Sequence, residues 1–339
     1  MSYAPVPDQV PDAYDDGSSH TVPNRTTPLA SARPDTTGPR PTRTGGLLDG
    51  PAPILASAVL WGTTGTAAAL APAGAPAAGI GCAGLALGGL LLFLTSRGAR
   101  ALPAACTRRE RGLLVLGALA VAGYPVTFYP AVARTGVAVA TVIALGSAPV
   151  LTGLLAWVTG GARPTGRWTA ATAAAVLGCT LLVLGPELAG RATPMDPTGV
   201  LLAGGAGLSY AAYSLIGGRL ITRGHSSDAV MGVLFGAAGL LVLPLVLLTG
   251  TQWLATARGA TVAGYLALFT VCLAYRLFGY GLRRTPASLA TSLTLAEPAV
   301  AAVLGVTVLG ERLPVASWCG LAVLGAGLVL LTAPRRRKR

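Results

Sequence analysis

Residues 285–314 read TPASLATSLTLAEPAVAAVLGVTVLGERLP, and this stretch decides the fold. From Pro286 to Leu309 it carries one charge, Glu297. A helix crosses a bilayer with about 20 apolar residues at roughly 1.5 Å rise each, so the run is long enough. Glu297 falls near its middle, where an ionisable group costs at least about 2.5 kcal/mol on insertion scales. Pro298 follows at once. It has no N–H, so the Thr294 carbonyl loses its helical partner and a kink is predicted there. An acid, a kink and a freed carbonyl thus coincide at predicted mid-membrane depth. Gly310-Glu311-Arg312-Leu313-Pro314 then returns the chain to water.

The rest of the chain has the same character. Its 339 residues are 53% hydrophobic and 11% charged, which excludes an ordinary soluble domain. Apolar runs recur at 52–71, 77–96, 112–132, 136–158, 168–185, 198–217, 228–249, 261–282, 286–309 and 314–333. The predicted class is an all-α integral membrane protein with ten transmembrane helices. Gly84-xxx-Gly88 and Gly232-xxx-Gly236 are spacings that let helix backbones approach in lipid. A net charge of +13 raises nucleic acid as a partner. The basic residues instead lie in short loops and in the run Arg335–Arg339, the pattern of segments that meet anionic headgroups. The partners expected are the lipid bilayer and a small-molecule substrate, with no nucleic acid.

Of the 25 basic residues, twenty fall on the side of the N-terminus and four on the other, and Arg276 lies within a span. Both termini are therefore predicted to be cytoplasmic. Lys338 is the one lysine, and with abundant Ala and Gly this hints at a bacterial source and a bacterial plasma membrane. Residues 1–50 hold eight prolines and no apolar run, so they read as a disordered cytoplasmic tail without a cleaved signal peptide. Residues 334–339 form a basic cytoplasmic tail. The five cysteines are scattered with no Cys-x-x-Cys or metal spacing, and read as small packing residues.

Shifting the chain by about 150 residues aligns its halves, 52–185 and 198–333. Phe128, Thr135, Ala140, Thr141 and Leu145 meet Phe278, Thr285, Ala290, Thr291 and Leu295. One-residue slips pair Pro149 with Pro298 and Trp168 with Trp318, and Trp61 falls opposite Tyr210. Five spans per half is an odd number, so the copies are predicted to be inverted repeats, with a substrate site near the midplane.

The segment 285–313 closely resembles the ninth helix of EamA-type proteins of the drug/metabolite transporter superfamily. The likeness rests on the Glu-Pro pair, the Gly-Glu-Arg-Leu turn and the threonine-alanine-serine entry, with Leu60-Trp61-Gly62-Thr63 as a second match. It covers roughly residues 54–333. The resemblance implies ten helices and a secondary transporter, usually an exporter of small metabolites, amino acids or drug-like compounds. The first half departs from that pattern: Ala162 replaces the acid of the turn, and Ala148 stands where Glu297 stands.

Two residues inside spans carry acid or base chemistry, Arg276 and Glu297. Side chains lean toward their own helix N-termini, so on antiparallel neighbours these two lean toward each other. They form either a structural ion pair or a coupling site at which Glu297 exchanges a proton or Arg276 meets a substrate carboxylate. Ala290, Thr294, Glu297, Ala301 and Gly305 share a helix face that would line a cavity. Around it the sequence places Trp61, Thr63 and Thr64, then Tyr124, Phe128 and Tyr129, then Ser209, Tyr210, Tyr213 and Tyr275. Each aromatic has packing or an interfacial belt as the competing role. The helix-breaking prolines Pro149 and Pro298 complete the set.

No phosphate-binding loop is present, so ATP is not the direct energy source, and no cofactor is predicted beyond possible proton coupling. An integral-membrane lipid-modifying enzyme is the alternative. It would need a His, Asp or Cys cluster at one membrane face. His20 and His225 lie in the tail and a loop, so no catalytic or metal residues are assigned.

Overall fold

The structure, a computed structural model, describes residues 50–188, 196–308, 310 and 312–333. The predicted tails lie outside these residues, apart from Gly50. All regular elements among them are helical: α1 (Pro51–Gly62), α2 (Thr64–Ala69), α3 (Ala77–Thr95), α4 (Leu102–Ala105), α5 (Arg108–Val158), α6 (Gly166–Leu188) and α7 (Pro197–Thr222). Then come α8 (Ser227–Leu248), a 3-10 turn (Gln252–Ala255), α9 (Ala257–Tyr265), a π-helical segment (Leu266–Leu273), α10 (Ala274–Leu282), α11 (Ala287–Leu293), α12 (Ala296–Val308) and α13 (Val315–Thr332).

Among the described residues, eight helical stretches are long and apolar enough to cross a membrane. The difference from ten predicted spans has two local causes. The first span is split at Thr63 into α1 and α2, each too short to count alone. The third and fourth spans run together as α5. Its 51 residues exceed twice the roughly 30 Å of hydrocarbon at about 1.5 Å per residue. Gly136 breaks it with φ 81° and ψ 160°, a conformation open to a residue without Cβ. The gap predicted at 133–135 is helical, and the break falls on Gly136, the first residue of the predicted fourth span.

Polar groups mark the helix ends. Thr107 and Glu110 form a reciprocal capping box at the start of α5. Asp196 accepts from the Thr198 amide at 2.9 Å, and Pro197 occupies the first turn of α7, where its missing N–H costs nothing. Between the ends the helices are apolar on most sides, so close packing selects the buried faces. A Cβ on Gly178 would collide with the Leu324 amide, and one on Gly320 with that of Leu182, so α6 and α13 touch backbone to backbone. Gly84 and Gly88 receive Leu266 and Val271 of the π segment, and Gly232 and Gly236 receive Ser96, just past the end of α3, and Phe93 of α3. Leu201, Leu240, Leu247 and Leu248 stay exposed, as suits a surface solvated by lipid.

One end of the bundle gathers arginines. Arg219 donates to the Thr159 carbonyl at 3.1 Å, Arg167 to those of Leu330 and Ala333, and the Arg97 amide to Asp228 at 3.2 Å. The opposite end holds the Arg134–Asp196 pair at 3.4 Å.

Candidate functional site

The site begins where α1 stops. Gly62 lets α1 and α12 meet: a Cβ there would lie 2.9 Å from the Glu297 carbonyl and 2.6 Å from Val300. That contact sets Trp61 at the level of Glu297. The Trp61 indole N–H donates to the Thr270 carbonyl at 2.8 Å, inside the π segment. A π-helical turn disturbs the regular bonding ladder and recurs at functional positions. Trp61 packs on Tyr275 and Phe278 at centroid distances of 4.9 and 5.5 Å.

Two more helices, α5 and α7, complete an aromatic wall. Tyr124 stacks on Phe128 at 5.4 Å and meets Tyr210 edge-on at 6.4 Å. Tyr210 stacks on Tyr213 at 5.2 Å, and the Tyr213 and Tyr275 hydroxyls lie 3.2 Å apart. The Tyr210 hydroxyl donates to Thr294 Oγ1 at 2.7 Å, and Thr294 donates to the Thr291 carbonyl at 2.9 Å. Tyr129 points its hydroxyl into the space left bare by Gly81. These side chains surround a cavity of about 250 Å³. Among the described residues, Glu297 is its one carboxylate, and its lining holds no Arg, Lys or His.

The predicted kink is present, with one change. α11 ends at Leu293 and α12 starts at Ala296, so the break precedes Pro298. A proline disturbs the carbonyl four residues back, here that of Thr294. That carbonyl is not left free: it accepts from the Glu297 amide at 3.0 Å.

Of the predicted residues, Trp61, Thr64, Tyr124, Phe128, Tyr129, Tyr210, Tyr213, Tyr275 and Glu297 line this cavity. Thr294 stands behind it through Tyr210. Thr63 turns away and accepts from the Tyr265 hydroxyl at 2.9 Å. Ser209, Pro149 and Pro298 are outside the lining.

Arg276 corrects the predicted pairing. Its Nε lies 3.0 Å from Asp228 Oδ1, off the hydrogen-bond axis, and a terminal nitrogen donates to Thr95 at 3.0 Å. The π segment just before it changes the register that α-helical counting assumes. The long side chain then carries its charge toward the arginine-rich end, where Asp228 starts α8. The sequence reading also missed Thr141, Phe235 and Thr270 as cavity-lining residues; none carries a charge, and Thr141 entered only as the repeat match of Thr291. A larger cavity of about 540 Å³ at the arginine-rich end is lined by Arg163, Arg167 and Arg219 and does not reach Glu297.

Comparison with known proteins matches residues 50–184 and 197–333 to the EamA-like transporter family. The Bacillus subtilis protein described as uncharacterized transporter YwfM is 39% identical over 286 residues, covering 84% of this chain and 94% of that one. YicL of Salmonella typhimurium, described as an uncharacterized inner membrane transporter, is 24% identical over 294 residues, covering 84% and 95%. YedA of Escherichia coli K12, with the same description, is 30% identical over 158 residues, covering 46% and 49%. One solved crystal structure shares the fold with a TM-score of 0.67 at 20% identity, over 83% of this chain and 95% of that one.

Proposed function

The chain belongs to the EamA-like transporter family, and on that premise we propose that it is a secondary transporter that exports small organic cations by alternating access. The observation that carries this reading is the cavity's composition: an aromatic wall with one carboxylate and no basic side chain. Aromatic faces attract cations, more strongly when water is excluded. An anion would meet Glu297 with nothing to offset its charge. Arg276, the basic residue that the sequence placed within a span, is paired with Asp228 instead.

Glu297 supplies the coupling. In an apolar cavity its charge is offset by a proton or by the bound cation, and the two compete for one oxygen pair. A cation arriving from the cytoplasm displaces the proton, and a proton from outside displaces the cation. The two halves act as inverted five-helix repeats with both termini cytoplasmic. Packing of α3 on α8 and of α6 on α13 supports this, because each pairs corresponding members of the two halves.

The test is flux in proteoliposomes, using cationic, neutral and anionic solutes matched in shape, with and without a pH gradient. Cation flux driven by the gradient is expected. Preference for the anion, or cation flux that ignores the gradient, would sink the proposal.

A further inference from the structure

Two loops distant in sequence meet at the arginine-rich end and bring together a thiol, a carboxylate and an imidazole. Cys106 caps the short helix α4, Glu110 sits in the first turn of α5, and His225 lies between α7 and α8. His225 Nε2 is 3.4 Å from Glu110 Oε1 and 3.9 Å from Cys106 Sγ. The three ligand atoms all lie within 4.8 Å of one another. Sequence spacing hid the cluster, because Cys106 and His225 are 119 residues apart.

Two details of the geometry point to a bound cation. A nucleophile, base and orienting acid would use opposite ring nitrogens of the histidine. Here the thiol and the carboxylate both approach the same one, Nε2. The carboxylate is also held in advance. Its Oε2 accepts from the Thr107 amide at 3.0 Å and the Thr107 hydroxyl at 2.9 Å, which leaves Oε1 for His225. Zinc bonds of about 2.0–2.3 Å in a tetrahedron place ligand atoms roughly 3.3–3.6 Å apart. The His225–Glu110 separation of 3.4 Å meets this, and the Cys106 thiol, 3.9 Å from Nε2, has a few tenths of an ångström to close on binding.

We propose that Cys106 Sγ, Glu110 Oε1 and His225 Nε2 form a three-ligand site for a divalent cation of the zinc class, with water as the fourth ligand. On binding, the thiol proton leaves to solvent and a sulfur–metal bond forms. Neutral imidazole donates its Nε2 lone pair, and thiolate and carboxylate together balance the dication. A thiolate with an imidazole selects zinc over magnesium or calcium. Arg223, 3.9 Å from Oε1, gives up that contact to the metal. Cys106 is buried while the Glu110 and His225 side chains are 14% and 19% exposed, so the site has an opening to solvent. The metal would tie the start of α5, in the first half, to the α7–α8 turn, in the second.

The experiment is equilibrium dialysis of full-length protein, carrying a tag without histidine, against micromolar zinc under reducing conditions. One zinc per chain and a raised unfolding temperature are expected. Cobalt in its place should show a thiolate-to-metal charge-transfer band. Cys106→Ala and His225→Ala should each weaken zinc binding by at least about 100-fold, since losing outer-shell partners alone costs about 10–100-fold. Cys106→His should keep zinc but lose the cobalt band, which separates ligand loss from misfolding. Wild-type protein that stays zinc-free, or a Cys106→Ala/His225→Ala double variant that binds zinc as tightly as wild type, would overturn the proposal.

Discussion

Residues 136–158 and 286–309 are matched copies in the sequence repeat, each with a proline at the same place, yet they fold differently. The first runs as unbroken helix through Ala148 and Pro149, the C-terminal part of α5. Ala148 is fully buried, and the Thr152 hydroxyl donates to its carbonyl at 2.7 Å. α7 presses close, because a Cβ on Gly207 would lie 2.8 Å from the Ala144 carbonyl. The second copy breaks into α11 and α12. Tyr210 bonds Thr294 at the break, and the carboxylate beside Pro298 faces the cavity. A proline therefore permits a break but does not impose one. What differs is the residue before it: an alanine that packs, or a glutamate that needs polar space.

The comparison can be broken by moving the acid. Ala148→Glu puts a carboxylate at a position with no solvent exposure, so a loss of at least about 2.5 kcal/mol is expected. Thermal unfolding in detergent and the yield of membrane-inserted protein would register it. A fully stable Ala148→Glu variant would show that the first copy also has room for a charge.

Next in size is Glu297→Gln. Glutamine mimics only the protonated acid, so gradient-driven flux should fall at least about tenfold, or roughly 1.4 kcal/mol in transition-state terms, while substrate exchange persists. Because Arg276 is paired elsewhere, thermal stability should stay near wild type. A drop of about 3–5 kcal/mol, as when a buried ion pair is broken, would mean that Glu297 does hold a cationic partner.

Tyr210→Phe sharpens the account of the break itself. It removes the bond to Thr294 and should cost about 1 kcal/mol. A double-mutant cycle with Thr294→Val should return most of that as coupling. Additive losses would mean that the hydroxyl pair does not hold the α11–α12 junction.

Asp228→Asn should have the smallest effect, under about 1 kcal/mol, because both partners of the Arg276 pair are about one-third exposed. If it also impaired gradient-driven flux to the same degree as Glu297→Gln, Arg276 would be part of the coupling machinery after all.

Sequence by itself determined the helical membrane class, because apolar runs of bilayer length have one way to satisfy their backbones in lipid. It also marked Glu297, since an isolated acid in such a run stands out against every neighbour. The aromatic wall was legible from Trp61, Tyr124 and Tyr210 because rings with polar tips are few in an Ala/Gly/Leu-rich chain. Only the tertiary structure decided where Arg276 goes: a π-helical stretch alters the register, and Asp228 is supplied from another helix. The same holds for Thr270, whose carbonyl receives Trp61, and for Cys106, Glu110 and His225. Their meeting depends on how helices pack across the two halves, and local spacing carries no record of contacts made between residues a hundred positions apart.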